Sequence, residues 1–162
     1  MRPKMANEIS DAEVKQAQFP HNLFISGLFV FDLLMTPTVI VLNLGMPGLL
    51  IPLLCSIALI AYIYLRGKKV NSAFVAAHWK LAYKHGRWLV AGYAISAGLI
   101  FIAWLLSLNA RDAHMSHILW TALTRIALLP TLIAVMVTAV MEASAISAAT
   151  KREAPAVKPT KT

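Results

Sequence analysis

Residues 23–44 read LFISGLFVFDLLMTPTVIVLNL. Only Asp32 is charged in this run of 22 residues, and a helix of roughly 20 apolar residues is long enough to cross a bilayer core of about 30 Å. Residues 49–65, 88–108 and 118–141 have the same character and predict three further spans. Because these runs are continuous and lack the two-residue alternation of an outer-membrane barrel, the predicted fold is an all-α integral membrane bundle of four transmembrane helices.

The composition of the whole chain agrees with a membrane protein. Of its 162 residues, 59% are hydrophobic and 14% are charged, whereas soluble domains average about 45–50% apolar and about 25% charged residues. This composition excludes a soluble enzyme, a nucleic-acid-binding domain and a disordered protein. The net charge of +8 is better explained by topology and by contact with anionic lipid headgroups than by nucleic acid.

The positions of lysine and arginine predict the orientation of the chain. Three lie in residues 1–22, six in 66–87 and four in 142–162, whereas Arg111 lies in a predicted external loop and Arg125 in a span. Cytoplasmic loops of membrane proteins retain Lys and Arg. Both termini and the 66–87 segment are therefore expected on the cytoplasmic side of a bacterial inner membrane.

The predicted organisation has five parts. They are a cytoplasmic tail over 1–22, a transmembrane hairpin over 23–65, a basic cytoplasmic loop over 66–87, a second hairpin over 88–141 and a disordered, basic cytoplasmic tail over 142–162. The loop is either an amphipathic helix lying on the membrane surface or an extension of the third span broken near Gly86. Its basic residues are the predicted contacts to lipid or to a partner: Arg66, Lys68, Lys69, Lys80, Lys84 and Arg87.

Two charged residues lie inside the predicted spans, Asp32 in the first and Arg125 in the fourth. At about 1.5 Å per residue, they lie about 18 Å and about 12 Å from the same membrane surface. A lone charge at mid-membrane costs about 2.5–3.5 kcal/mol on insertion scales, so we expect these two side chains to pair directly or through water. The pair either fixes how the helices pack or forms a proton site in which Arg125 tunes Asp32.

The histidines offer one candidate metal site. His114 and His117 stand three residues apart in an external loop, and imidazoles at this spacing share one face of a helix and can bind Cu or Zn. The alternative is a pair of polar residues at the membrane interface. His78 and His85 are about 10 Å apart along a helix, too far to share one metal ion, and His21 is interpreted as a headgroup contact.

The third span has two pairs of small residues at a spacing of four. Gly92 and Ser96 form one pair, and Ala94 and Gly98 form the other. This spacing permits close approach between helices. The approaching helix belongs either to the same chain or to a second copy of it.

The sequence contains no motif that predicts catalysis. It has no HExxH, no GxSxG and no phosphate-binding glycine loop, motifs that mark metalloproteases, serine hydrolases and nucleotide-binding proteins. The leading prediction is a non-catalytic accessory, assembly or scaffolding subunit, with membrane lipids and other membrane subunits or itself as partners. The alternatives are a small proton- or ion-coupled transporter using Asp32 and a metal-handling membrane protein using His114 and His117.

Overall fold

A computed structural model describes residues 9–42, 44–109 and 112–155. Within these ranges the chain is helical, with short turns between helices and no strand. The helices are α1 (Asp11–Gly27), α2 (Thr36–Val41), α3 (Gly45–Gly67), α4 (Ala73–Leu108), α5 (Ala113–Ala127) and α6 (Leu129–Thr150), and a π-helical segment, Leu28–Met35, joins α1 to α2. The prediction of an all-helical chain is confirmed.

In the described ranges, four helical stretches are long and apolar enough to cross a membrane. They are Asp11–Val41, Pro47–Gly67, Ala73–Leu108 and Ala113–Thr150. Each contains one of the four predicted spans or most of it, so the presence and approximate positions of four helices of membrane-spanning length and apolarity are confirmed. Large apolar side chains point outward from them, for example Val41, which is 82% exposed. Such exposure is expected of a surface that lipid covers.

The described residues divide into two compact units. One unit lies within Met1–Gly86 and Ala139–Thr162, and the other is Arg87–Thr138. We call these the first and the second unit. The first unit contains α1, the π-helical segment, α2, α3, the start of α4 and the end of α6.

The N-terminal segment is helical from Asp11 onward, and its predicted role as a cytoplasmic tail over 1–22 stays a prediction. Ser10 and Glu13 form a capping box, in which each side chain binds the backbone N–H of the other residue. This arrangement satisfies two N–H groups that a helix start otherwise leaves unpaired. Ala17 and His21 are fully buried, so this part of α1 packs as core of the first unit. Residues 1–8 lie outside the described part of the chain.

The basic loop over 66–87 is much shorter than predicted. It is a turn between Gly67 and Ala73, after which α4 continues without interruption to Leu108. The interpretation as an extension of the third span is therefore correct, but no break occurs near Gly86. A Cβ at Gly86 would lie 3.0 Å from the side chain of Ile60. Glycine is thus needed here for close packing against α3.

The C-terminal segment is also more ordered than predicted. Helix α6 continues to Thr150, and Ala149 is fully buried, so the prediction of a disordered tail is wrong for residues 142–150. Two contacts hold this end of α6 to α1: Gln18 Nε2 donates to Thr150 Oγ1 at 2.8 Å, and Arg152 pairs with Asp11 at 2.7 Å. Residues 156–162 lie outside the described part.

In the second unit, one of the two small-residue pairs makes a close helix contact. A Cβ on Gly92 would lie 2.4 Å from Ala134 Cβ, and Ser96 Oγ accepts a hydrogen bond from Thr131 Oγ1 at 2.8 Å. The other pair does not take part in this contact, since a Cβ on Gly98 would meet nothing within 4 Å. The approach between α4 and α6 thus occurs within one chain.

Gly92→Ala is expected to lower the free energy of unfolding by about 1–3 kcal/mol, because inserting a methyl group into a tightly packed contact forces the helices apart. Gly98→Ala is the matched control in the same helix. We expect it to be neutral or to stabilise by up to about 1 kcal/mol, since alanine favours helix over glycine. Thermal unfolding of both variants in mild detergent measures the difference, and equal stabilities would contradict the close contact.

Candidate functional site: a buried histidine–glutamate network

Four titratable side chains meet inside the first unit. His21 comes from α1, His78 and His85 from α4, and Glu142 from α6. His21, His78 and Glu142 are fully buried and His85 is 5% exposed. Charged and polar groups with this degree of burial are paired in stable proteins, because an unpaired one costs several kcal/mol. We refer to these four residues as the His–Glu network.

The hydrogen bonds of the network run in a chain. Glu142 Oε2 binds His21 Nδ1, and Glu142 Oε1 lies 2.8 Å from His85 Nδ1. His21 Nε2 lies 3.1 Å from His78 Nδ1. His78 Nε2 lies 3.3 Å from the backbone carbonyl oxygen of Glu153. Three helices are thereby joined through one carboxylate and three imidazole rings.

The partners determine how many protons this chain of bonds contains. Three hydrogen bonds connect the Glu142 carboxyl group, His21, His78 and the Glu153 carbonyl, and each needs one proton. Two neutral imidazoles supply only two N–H groups. The third proton therefore resides on Glu142, or it converts His21 or His78 to an imidazolium.

These three placements of the third proton have the same overall charge. With the proton on Glu142 every group is neutral, and with it on a histidine the imidazolium balances the Glu142 carboxylate. If the proton left, one hydrogen bond would be lost and a negative charge would remain at a fully buried site. Both changes destabilise the packed arrangement.

The helices position these residues through their spacing. His78 and His85 are seven residues apart on α4, which is close to two turns, so they lie on the same side of the helix. The prediction that they are too far apart to share one metal ion is consistent with this spacing. They are instead connected through His21 and Glu142. The interpretation of His21 as a headgroup contact is wrong, because this side chain is fully buried.

No family model, curated protein or solved structure matches this chain. Function is therefore inferred from the chemistry of the His–Glu network itself. Imidazole is the side chain that gains and loses a proton near neutral pH, and a carboxylate in hydrogen-bond contact is its usual partner. Proton binding is thus the chemistry to which the network is best suited.

The predicted metal pair lies elsewhere. His114 and His117 lie in the first turn of α5 and are exposed. The nearby Asp112 caps this helix, accepting a hydrogen bond from the Met115 backbone N–H at 2.7 Å. In the described ranges, no group of three or more His, Cys, Asp and Glu residues is arranged to hold a metal ion. Binding of Cu or Zn by the two histidines stays a prediction.

Asp32 lies in the π-helical segment, Leu28–Met35, of the first unit. Its Oδ2 accepts a hydrogen bond from Ser56 Oγ of α3 at 3.2 Å, and Ser56 is buried. Single π-helical turns often occur at functional sites, and Pro37 is the second residue after the segment. Arg125 belongs to the second unit, so its pairing with Asp32 stays a prediction.

The six predicted lipid or partner contacts are exposed. Arg66 lies in the last turn of α3, and Lys68 and Lys69 lie in the turn that follows. Lys80 and Lys84 lie on α4, and Arg87 begins the second unit. Arg66, Lys68 and Lys69 therefore lie at the junction of α3 and α4, and Lys80 and Lys84 lie about two and three turns further along α4.

Proposed function

We propose that this chain is a small membrane transporter that moves protons, and that the His–Glu network binds the transported proton. The observation that supports this proposal is the chain of three hydrogen bonds from Glu142 through His21 and His78 to the Glu153 carbonyl. It requires one proton more than a carboxylate and two neutral imidazoles contain.

The position of the network supports coupling between proton binding and helix packing. Its side chains come from α1, α4 and α6, and these contacts are complete only when the third proton is present. A hydrogen bond to a charged group contributes about 1.5–3 kcal/mol. Loss of the proton would therefore weaken the attachment of these helices by an amount large enough to shift a conformational equilibrium between two states.

The network provides a better proton site than Asp32. Glu142 is fully buried and contacts two histidines, the side chains that exchange protons near neutral pH, whereas Asp32 is half-buried. Proton transport through a membrane needs a second site or a path for the proton. Asp32, inside the π-helical segment of an apolar helix, is a candidate for that second role.

The lysine and arginine distribution supports a location in a bacterial inner membrane with both termini in the cytoplasm. The described start of α1 and end of α6 are held together by the Arg152–Asp11 ion pair, as expected of two ends on one side. A reporter enzyme fused after Thr162 tests this orientation. We expect activity from a cytoplasmic reporter, and activity from a periplasmic reporter would contradict it.

Proton flux into liposomes tests the transport proposal. The purified protein is reconstituted into liposomes that contain a pH-sensitive dye. A potassium gradient with valinomycin makes the liposome interior electrically negative, which drives protons inward. We expect the wild type to acidify the interior faster than empty liposomes, and Glu142→Gln to reduce this rate at least about tenfold, which corresponds to about 1.4 kcal/mol in the barrier.

Glu153→Gln is the matched control for this experiment. It also removes one carboxylate, but the network contacts only the backbone carbonyl of Glu153, so its flux should equal that of the wild type. A wild type that conducts no faster than empty liposomes, or Glu142→Gln at the wild-type rate, would contradict proton transport through the network.

A second candidate function is the accessory subunit of a larger membrane complex. It is favoured by a surface groove of about 330 Å³ in the first unit. The groove combines the apolar side chains of Phe19 and Val75 with Arg66 and Gln16, a mixture typical of surfaces that contact other proteins. Purification in mild detergent tests this candidate: a stable partner at fixed stoichiometry supports it, and a homogeneous protein without one contradicts it.

A further inference from the structure

A second groove lies in the first unit, between the end of α3 and the first turns of α4. Its volume is about 320 Å³, and its wall is mainly apolar. Its lining includes Tyr64, Gly67, Lys68, Trp79, Lys80 and Tyr83. A Cβ on Gly67 would lie 3.0 Å from Trp79 Cβ, so the backbone of α3 and the side chain of Trp79 close one side of the groove.

The charged residues that line this groove are both lysines. Lys68 Nζ lies 4.1 Å from the centre of the Tyr64 ring, a cation–π contact that holds the ammonium group beside the apolar wall. The Tyr64 ring also packs on Tyr83, with ring centres 4.8 Å apart. Lys80 is exposed on α4. The groove therefore combines an aromatic surface with positive charge, which is complementary to an anion that carries an apolar chain.

The groove lies at the end of an apolar span. Helix α3 is apolar until Tyr62 and Tyr64, and Arg66 and Lys68 follow directly. Tyrosine and lysine at the end of a span are typical of the depth at which lipid headgroups lie. Basic pockets between transmembrane helices are known binding positions for anionic lipid headgroups. A soluble anion would use the lysines and leave the aromatic wall uncovered.

We propose that this groove binds one anionic phospholipid. The phosphate lies by Lys68 and Lys80, and an acyl chain lies along Trp79 and Tyr83. Neither lysine belongs to the His–Glu network, so the inference does not depend on proton transport. A second copy of the chain, or a partner protein, is the alternative occupant that the test must separate from lipid.

Quenching of Trp79 fluorescence by brominated lipids tests the proposal. The full chain carrying Trp88→Phe, Trp104→Phe and Trp120→Phe is reconstituted in vesicles that contain phosphatidylglycerol or phosphatidylcholine brominated on the acyl chains. We expect half-maximal quenching at a mole fraction of brominated phosphatidylglycerol about 25-fold lower than that of brominated phosphatidylcholine, since each of two lysines near the membrane surface increases affinity for anionic lipid about fivefold.

Two pairs of lysine substitutions decide whether the groove causes this preference. Lys68→Gln with Lys80→Gln should abolish it, whereas Lys15→Gln with Lys151→Gln, a matched change at exposed lysines, should leave it intact. Equal quenching by the two lipids, or a preference that survives the groove substitutions, would overturn the proposal. No quenching by either lipid would also overturn it, because an acyl chain in the groove would lie against Trp79, which is 5% exposed and lines the groove.

A complementary variant keeps the test valid if the triple tryptophan variant does not fold. Trp79→Phe in the otherwise unchanged chain should remove the component of fluorescence that brominated phosphatidylglycerol quenches more strongly than brominated phosphatidylcholine does. If that component persisted in Trp79→Phe, the preferred lipid would lie against another tryptophan, and the groove would not be its site.

Discussion

Glu142→Ala is expected to lower the free energy of unfolding by about 3–5 kcal/mol, the usual cost of removing one partner from a buried ionic pair. The carboxylate is fully buried and binds His21 and His85 at once. Its removal leaves the Nδ1 atoms of His21 and His85 without their hydrogen-bond partner and opens a cavity in the first unit. Chemical or thermal unfolding in mild detergent, followed by far-UV circular dichroism, measures this loss.

Glu153→Ala is the matched control for this measurement. Glu153 is exposed, and alanine retains the backbone carbonyl that faces His78 Nε2. We expect its free energy of unfolding to change by less than about 0.5 kcal/mol, as is usual for surface substitutions. A Glu142→Ala protein as stable as Glu153→Ala would contradict the buried network.

His21→Ala should destabilise the protein by about 3 kcal/mol or more, because it leaves two buried polar groups unsatisfied at about 1–3 kcal/mol each and creates a cavity. His21 is the central member of the chain of bonds: it connects Glu142 to His78. Without the His21 ring, the Glu142 carboxyl group is no longer connected to His78. We therefore expect proton flux to fall together with stability.

His114→Ala provides the comparison for His21→Ala. His114 is exposed in the first turn of α5, so its removal should change the unfolding midpoint very little. If the two alanine variants unfolded at the same temperature, the assignment of His21 to a buried network would be wrong. His21→Gln separates packing from proton transfer, since it restores much of the side-chain volume without an imidazole.

The sequence predicts the number and positions of the membrane-length helices because their signal is local. A run such as 23–44 is recognised by composition and length alone. The ends of the helices are less well predicted. Helix α1 begins at Asp11 and α6 continues to Thr150, well beyond the predicted spans, because their outer turns pack against protein and not lipid. Hydropathy does not report that packing.

The His–Glu network could not be predicted from the same patterns. Its members, His21, His78, His85 and Glu142, lie far apart in the sequence. Only the folded arrangement of α1, α4 and α6 brings them together. Two local signals were present. His78 and His85 share a helix face, and Glu142 is the only acidic residue between Asp112 and Glu153.

NMR detection of the hydrogen bond between His21 Nε2 and His78 Nδ1 is the most direct test of a proton held inside the network. In protein labelled with ¹⁵N-histidine, NMR detects a scalar coupling between two ring nitrogens only when they share a proton. We expect one such coupling, at signals that disappear in His21→Gln and in His78→Gln and persist in His114→Gln. Ring nitrogens of His21 and His78 that show no coupling and exchange freely with solvent would contradict the buried, shared proton.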